Sequence, residues 1–197
     1  RIPPPIVTLL RDIVERIGDE GDLQTACDDL SADPPSGDHR IEFAPGVEVI
    51  PLETDTLPPS THTNCYIIGE PGGEVVIVDP AAKSEESLNY LKAKISEAMS
   101  PDSRIVASIF THRHPDHIGD LARISEIYQA PIWASEETLG AISTDIGVSK
   151  LEEGDTVELN GPSGVSTWEV IETPSHCPGH ICLVGEAGIV SGDNCVV

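Results

Sequence analysis

Positive charge is scarce in this sequence. Only 11 lysine and arginine residues stand against 34 aspartate and glutamate residues, and the formal net charge is −23. The basic residues are scattered, so the surface is expected to repel phosphate backbones and anionic membranes. The composition therefore disfavours a nucleic-acid partner and favours a small-molecule substrate if the chain is an enzyme. It leaves the oligomeric state open.

Disulfide patterns and long apolar runs are also missing. The five cysteines contain no C-x-x-C pair and show no spacing typical of a small disulfide-bonded domain. They are predicted to be reduced thiols, which favours a cytoplasmic location. The longest apolar runs have the length of a strand, so the sequence predicts neither a membrane span nor a signal peptide. Aromatic residues make up only 4%, so aliphatic side chains must dominate the core.

The first 45 residues differ in composition from the rest. Apolar residues recur at helical spacing over 6–17, which predicts an amphipathic helix. The segment 19–45 is rich in Asp, Ser, Pro and Gly and lacks apolar periodicity, which is typical of a solvated linker. We therefore predict an N-terminal helix and acidic linker over 1–45, either the tail of an upstream domain or a simple extension. One folded domain is predicted over 46–197.

Strands and helices are mixed after residue 46, which predicts an α/β or α+β fold. The predicted strands are Val47–Leu52, Asn64–Ile68, Glu74–Asp79, Arg104–Phe110, Pro131–Ala134, Thr156–Leu159, Thr167–Ile171, Ile181–Val184 and Gly188–Val190. The predicted helices are 84–99, Asp120–Tyr128 and Glu136–Ile142. The strand that ends at Phe110 runs directly into Thr111 and His112, so the run from 111 to 120 begins at the C-terminal end of a strand.

Three of the seven histidines fall within this run. His112 and His114 are separated by one residue, a spacing that lets two imidazoles converge on one cation. Asp116 and His117 follow at once, and two such pairs are more than one tetrahedral ion needs if ligands also arrive from elsewhere. A histidine-rich surface loop is the alternative interpretation, but strand ends are where α/β proteins place ligands. The run therefore predicts a metal site, with donors suited to zinc and enough of them for two ions.

Two later segments offer further ligands. His176 lies just beyond a predicted strand, in a turn fixed by Pro174, Pro178 and Gly179. Asp193 follows another apolar strand, and its carboxylate has the chemistry to bridge two cations. Taken singly, each residue is more often a surface or capping residue than a ligand.

Together these motifs resemble those of the metallo-β-lactamase-fold superfamily. The sequence carries Thr-His-x-His-x-Asp-His-x-Gly from 111, Thr-Pro-x-His-x-Pro-Gly-His from 173 and Ser-Gly-Asp from 191, in that order. The match covers roughly residues 47–197. The segment Leu57–Tyr66 resembles the lactamase-β-like branch of bacterial and eukaryotic hydrolases, some of which have a Nudix-like domain upstream. The resemblance implies a four-layer αββα sandwich.

The resemblance also implies a role for individual residues. The implied ligands are, for the first metal ion, His112, His114 and His176 and, for the second, Asp116, His117 and a bridging Asp193. Asp79 matches a structural aspartate that supports the metal loop, and His180 matches a position outside the ligand set. Ser175 stands where the family has a glycine, which leaves the imidazole of His176 available.

The family pattern includes one more histidine far downstream, which completes the second metal site. The sequence ends four residues after Asp193. We therefore expect the C-terminal part of the sandwich to be missing from this chain and the second site to be incomplete within it.

The predicted function is that of a metal-dependent hydrolase. A metal-activated water would attack an ester, thioester, lactone or β-lactam, and Asp116 would orient that water. The expected cofactor is Zn²⁺, as one or two ions, with Fe or Mn as alternatives. Two other functions stay open: a metal-dependent phosphodiesterase or ribonuclease, and a non-catalytic binding module with an incomplete second site. A thiol mechanism through Cys177 is less favoured, because a nucleophile and its base normally assemble across the fold.

Overall fold

The computed structural model describes residues 13, 14, 17, 22–32, 41–58 and 60–194. Residues 13, 14 and 17 are helical, and the rest of the helix predicted over 6–17 lies outside the described residues.

The segment 19–45 contains regular structure, so the prediction of a plain linker there was wrong. Helix α1 spans Leu23–Ala32, and strand β1 spans Ile41–Ala44. Asp22 supports the start of α1, because its carboxylate accepts a hydrogen bond from the Thr25 amide at 3.0 Å. The polar composition hid this capping signal. The domain boundary near residue 45 stays a prediction.

In the part of the chain that the structure describes, eleven strands form two sheets. The remaining strands are β2 (Val47–Glu53), β3 (His62–Ile68), β4 (Glu74–Val78), β5 (Arg104–Ile109), β6 (Ile132–Ala134), β7 (Val148–Lys150), β8 (Thr156–Gly161), β9 (Gly164–Glu172), β10 (Ile181–Gly185) and β11 (Gly188–Val190). Sheet 1 has the order β1-β2-β3-β4-β5-β6-β7, antiparallel from β1 to β4 and parallel from β4 to β7. Sheet 2 has the order β11-β10-β9-β8 and is antiparallel throughout.

The helices after β4 are short except for the first. They are α2 (Glu85–Ala98), α3 (Pro115–Ile118), α4 (Leu121–Ile127) and α5 (Glu136–Leu139), and a 3₁₀ turn spans Gly192–Asn194. Ser84 caps α2 by accepting a hydrogen bond from the Ser87 amide at 3.0 Å. No helix in the described ranges is both long enough and apolar enough to cross a membrane.

Among the described residues, two large apolar cores hold the layers together, and a smaller third cluster surrounds Phe110. One lies between the sheets and combines residues of sheet 1, such as Ile109, with residues of sheet 2, such as Leu183 and Trp168. The other lies between sheet 1 and α2, where Leu91 and Ile95 are buried on the face that the helical spacing predicted. The resulting helix–sheet–sheet arrangement confirms the predicted mixed α and β sandwich.

The strand directions bring four loops to one edge of the sandwich. Strands β4 and β5 are parallel, so Asp79 and Thr111, which follow them, lie at the same edge. Strands β9 and β11 both pair antiparallel with β10, so the loops that follow them also share an edge. The amide of Ile181 donates to the Thr111 carbonyl at 2.9 Å and joins the two edges.

Candidate metal centre

The loop after β5 is fixed by one buried carboxylate. Asp79 is 1% exposed and has a φ of 49°. It accepts hydrogen bonds from the Thr111 amide at 2.8 Å, from the Thr111 hydroxyl at 2.6 Å and from His117 Nδ1 at 2.9 Å. The last bond places the proton of the neutral imidazole on Nδ1 and leaves Nε2 as a lone-pair donor. Asp79 therefore supports the histidine loop in the way that the motif comparison implied.

A glycine allows this loop to approach the end of β4. Gly119 has a φ of 67°, and a Cβ at this position would lie 2.6 Å from both the Ala81 carbonyl carbon and the Ala82 oxygen. The next amide, of Asp120, donates to that Ala82 oxygen at 2.9 Å. Only glycine fits both the backbone conformation and the close contact.

Three imidazoles converge to form a first donor group. His114 Nδ1 lies 3.0 Å from His112 Nε2 and 3.0 Å from His176 Nε2. Ligand nitrogens around one tetrahedral zinc lie about 3.3 Å apart, as follows from bonds of about 2.0–2.1 Å. Burial, helped by neighbouring imidazoles, lowers the pKa of His112 to about 2. The ring is therefore neutral, which is the form that binds metal.

A second donor group lies beside the first and shares a carboxylate with it. Asp116, His117 and Asp193 have ligand atoms within 4.8 Å of one another, and Asp193 also belongs to the group with His112, His114 and His176. One Asp193 oxygen lies 3.1 Å from His117 Nε2, and the other lies 3.7 Å from His176 Nε2. The carboxylate therefore stands between the two groups.

The charge states in this cluster are strongly coupled. The hydrogen bond from His117 outweighs burial and lowers the pKa of Asp193 to about 2. Burial opposes protonation of His117, but the carboxylates of Asp79 and Asp193 outweigh it and raise the pKa of this imidazole to about 10. In the metal-free protein the carboxylates are thus balanced by a protonated His117, which must lose its Nε2 proton to bind metal; the carboxylates that favour this positive charge also favour a divalent cation.

The structure brings together all six residues that the sequence predicted as ligands. His112 and His114 follow β5, and Asp116 and His117 lie in α3. His176 lies in the loop after β9, and Asp193 lies in the 3₁₀ turn after β11. Their individual roles as ligands stay predictions. Cys177, the cysteine considered as a nucleophile, is buried and belongs to neither donor group.

The cluster opens into a groove of about 730 Å³. Strand β3 lines one side with His62, Asn64 and Tyr66, and Asp55 and Leu57 come from the loop that precedes it. These residues were not predicted from the sequence as part of the site. Their period-two spacing was the available signal, since alternate strand residues share a face.

Comparison with known proteins places the chain in a family. Residues 58–194 match the model of the metallo-beta-lactamase superfamily. The chain belongs to this superfamily of metal-dependent hydrolases. Its fold and its histidine–aspartate cluster agree with that membership.

Two relatives show the degree of sequence similarity. It is 28% identical over 148 residues to an uncharacterized protein of Aquifex aeolicus, which covers 66% of this chain and 64% of the relative. It is 30% identical over 139 residues to hydroxyacylglutathione hydrolase of Pectobacterium atrosepticum, which covers 70% of this chain and 49% of the relative. The chain therefore spans between about half and two thirds of the length of these relatives.

Solved structures agree with the fold. A beta-lactamase domain protein from Burkholderia ambifaria aligns with a TM-score of 0.59 at 21% identity, over 80% of this chain and 54% of the other. A subclass B3 metallo-beta-lactamase from a soil metagenome library aligns with a TM-score of 0.56 at 16% identity, over 73% and 56%. Both comparisons support the predicted sandwich.

Proposed function

We propose that this chain carries the binuclear zinc centre of a hydrolase that cleaves a small thioester or a related ester. The observation that carries the proposal is the position of Asp193, whose carboxylate serves two adjacent donor groups. A first ion would be held by His112, His114 and His176, and a second by Asp116 and His117. Neutral imidazoles with carboxylates suit zinc, although iron and manganese accept the same donors.

Different side chains would bind the metal ions and take part in the chemical step. When bound, the ions supply a water of lowered pKa and Lewis-acid stabilisation of the charge that develops on an acyl oxygen. Asp116 is half-buried and lines the groove, so its carboxylate can orient the attacking water and receive its proton. Asp79 keeps His117 in the tautomer that binds metal.

The groove supports a small-molecule substrate. A volume of about 730 Å³ lies within the range of small-molecule sites, about 300–1,000 Å³. Among the described residues that line it, none is a lysine or arginine, so a phosphodiester backbone would find no cationic anchor there. Relatives named hydroxyacylglutathione hydrolase favour a thioester within the ester-like class. The cytoplasmic location inferred from the cysteines stays a prediction.

Metal analysis and a substrate panel test the proposal. The purified chain is expected to bind one zinc equivalent tightly and a second more weakly, because the second donor group in the described residues has only Asp116, His117 and the shared Asp193. It is also expected to hydrolyse a model thioester faster than a lactone, a β-lactam or a bis-aryl phosphodiester. Asp116→Asn should lower kcat by about 10²–10⁴, the usual contribution of a general base. It should leave the first ion bound. Asp102→Asn, in an exposed turn, is the matched control.

Each other outcome contradicts a specific part of the proposal. A chain without more than traces of metal would be a non-catalytic module. Cleavage of the phosphodiester alone would favour the phosphodiesterase or ribonuclease alternative. Loss of both ions in Asp116→Asn would show that the two donor groups are not independent.

A further inference from the structure

His180 is a buried histidine that belongs to neither donor group. Its side chain is 0% exposed, and its ring lies 5.0 Å from the ring of His112, measured between centroids. Nδ1 lies 2.7 Å from the Thr173 hydroxyl. Nε2 has no hydrogen-bond partner among the described residues. A buried nitrogen without a hydrogen bond lowers the stability of the folded protein, so its presence here requires an explanation.

A chain of hydrogen bonds determines the tautomer of His180. The Cys182 thiol donates to the Ser191 carbonyl at 3.7 Å, so its sulfur accepts from the Thr173 hydroxyl at 3.2 Å. With its own proton donated to sulfur, the Thr173 oxygen must accept from His180 Nδ1–H. Nε2 is therefore left with a bare lone pair.

That lone pair faces the backbone of the turn that carries Asp193. A Cβ built on Gly192 would lie 2.8 Å from His180 Nε2 and 2.6 Å from the Thr111 hydroxyl oxygen. The glycine, whose φ is 49°, is thus packed directly between these two side chains. An N–H at Nε2 would point at the Gly192 Cα and its hydrogen, whereas a lone pair at Nε2 can accept the close approach of that Cα–H.

We propose that His180 is the positioning residue for the bridging carboxylate. The hydrogen bonds of its Nδ1–H tautomer connect the Ser191–Asp193 turn to Thr173, which follows β9, and to Cys182 in β10. The contact of Nε2 limits how closely Gly192 approaches the metal centre. The Asp193 carboxylate is then held between His117 and His176. This inference rests on the binuclear centre proposed above, because the position of Asp193 matters most for an ion that has fewer other ligands.

Two variants and one control test this role. Thr173→Val removes the acceptor for Nδ1–H with little change of volume, and His180→Phe removes both nitrogens but keeps a planar ring. Thr167→Val makes the same change as the first variant at an exposed position of β9. The readouts are the affinities of the two zinc ions, from competition with a chelator, and the absorption spectrum of the cobalt-substituted protein.

The second ion should bind about 10–100 times more weakly in both variants, as is typical when a partner of a metal ligand is removed. The first ion should bind as in the unmodified chain, and the control should be unchanged. In the metal-free protein, ¹⁵N spectra of the histidine rings should show His180 protonated on Nδ1. This last readout keeps the inference testable if His180→Phe fails to fold.

Three results would overturn the inference. The first is that the unmodified chain binds two ions and that Thr173→Val binds both of them with unchanged affinity. The second is equal weakening of both ions together with a lower melting temperature, which means a general structural role. The third is a proton on Nε2 of His180. An unmodified chain that binds fewer than two ions instead overturns the proposed function, and this inference with it.

Discussion

Replacing Asp79 by asparagine separates the hydrogen-bonding role of this residue from its backbone role. Asparagine tolerates a φ of 49° about as well as aspartate, so the strand end keeps its conformation. The amide oxygen can still accept from the Thr111 backbone, which bonds Oδ1 at 2.8 Å. The amide NH₂, however, replaces Oδ2, the atom that accepts from both the Thr111 hydroxyl and His117 Nδ1.

The size of the effect follows from those two lost bonds. A hydrogen bond to a charged group contributes about 1.5–3 kcal/mol, and Asp79 is 1% exposed, so solvent cannot replace it. Even the lower value for each bond gives a loss of about 3 kcal/mol in the free energy of unfolding, less whatever rotation of the Thr111 hydroxyl recovers. An NH₂ facing Nδ1 also favours the other tautomer of His117. The proton of His117 would then be on Nε2, the nitrogen that binds metal. Asp79→Asn should therefore weaken binding of the second ion more than binding of the first.

Urea unfolding of the metal-free chain and zinc competition measure the two effects. Asp120→Asn provides the matched control, because Asp120 caps α4 by accepting from the Arg123 amide at 3.2 Å and asparagine caps a helix equally well. The reasoning would be refuted if Asp79→Asn unfolded at the same urea concentration as this control. Equal affinity of both variants for the second ion would refute the tautomer argument.

Two further substitutions probe how the other loops are held. Gly192→Ala should weaken the second ion about tenfold or more, because the new Cβ would lie 2.6 Å from the Thr111 hydroxyl oxygen and displace the bridging carboxylate; zinc competition measures this. Ser135→Ala should lower the free energy of unfolding by about 1 kcal/mol through loss of the α5 cap, as measured in urea. It should also weaken the first ion, because the Ser135 hydroxyl donates at 2.5 Å to the Gly179 carbonyl in the loop that carries a ligand histidine.

Both substitutions have controls within the chain. Gly154 has a φ of 82° with no atom within 4 Å of a built Cβ, so Gly154→Ala reports backbone strain without a collision. If Gly154→Ala weakened zinc binding as much as Gly192→Ala did, the effect at Gly192 would not be due to the collision of the new Cβ. Ser143 is exposed, and Ser143→Ala should change neither stability nor metal affinity. Unchanged first-ion affinity in Ser135→Ala would mean that the loop is held by other contacts.

Most regular elements of the domain were predictable from local patterns. The strands with strong apolar alternation or continuous apolar runs, such as Glu74–Val78 and Ile181–Gly185, appear where the sequence placed them. The helix predicted over 84–99 is found at Glu85–Ala98, because its cap and its apolar face give the same limits. Local propensity and burial agree in these segments.

The elements that the sequence missed lack such agreement. Strand Val148–Lys150 is exposed at all three residues and exists because it pairs with β6. Helix Leu23–Ala32 is largely polar, so its few apolar residues gave no recognisable face. Strand β9 begins at Gly164, three residues before the predicted start, because its register with β8 extends the pairing through exposed residues.

The sequence by itself determined the donor chemistry of this protein: which imidazoles and carboxylates occur, and that they follow the ends of strands. Tertiary structure decided how they combine. The parallel pair β4 and β5 places Asp79 beneath the histidine loop, and the antiparallel partners of β10 deliver His176 and Asp193 to the same edge. The packing of Gly192 against His180 is likewise invisible in the sequence, because a contact between the ends of the neighbouring strands β10 and β11 depends on strand register and not on local spacing.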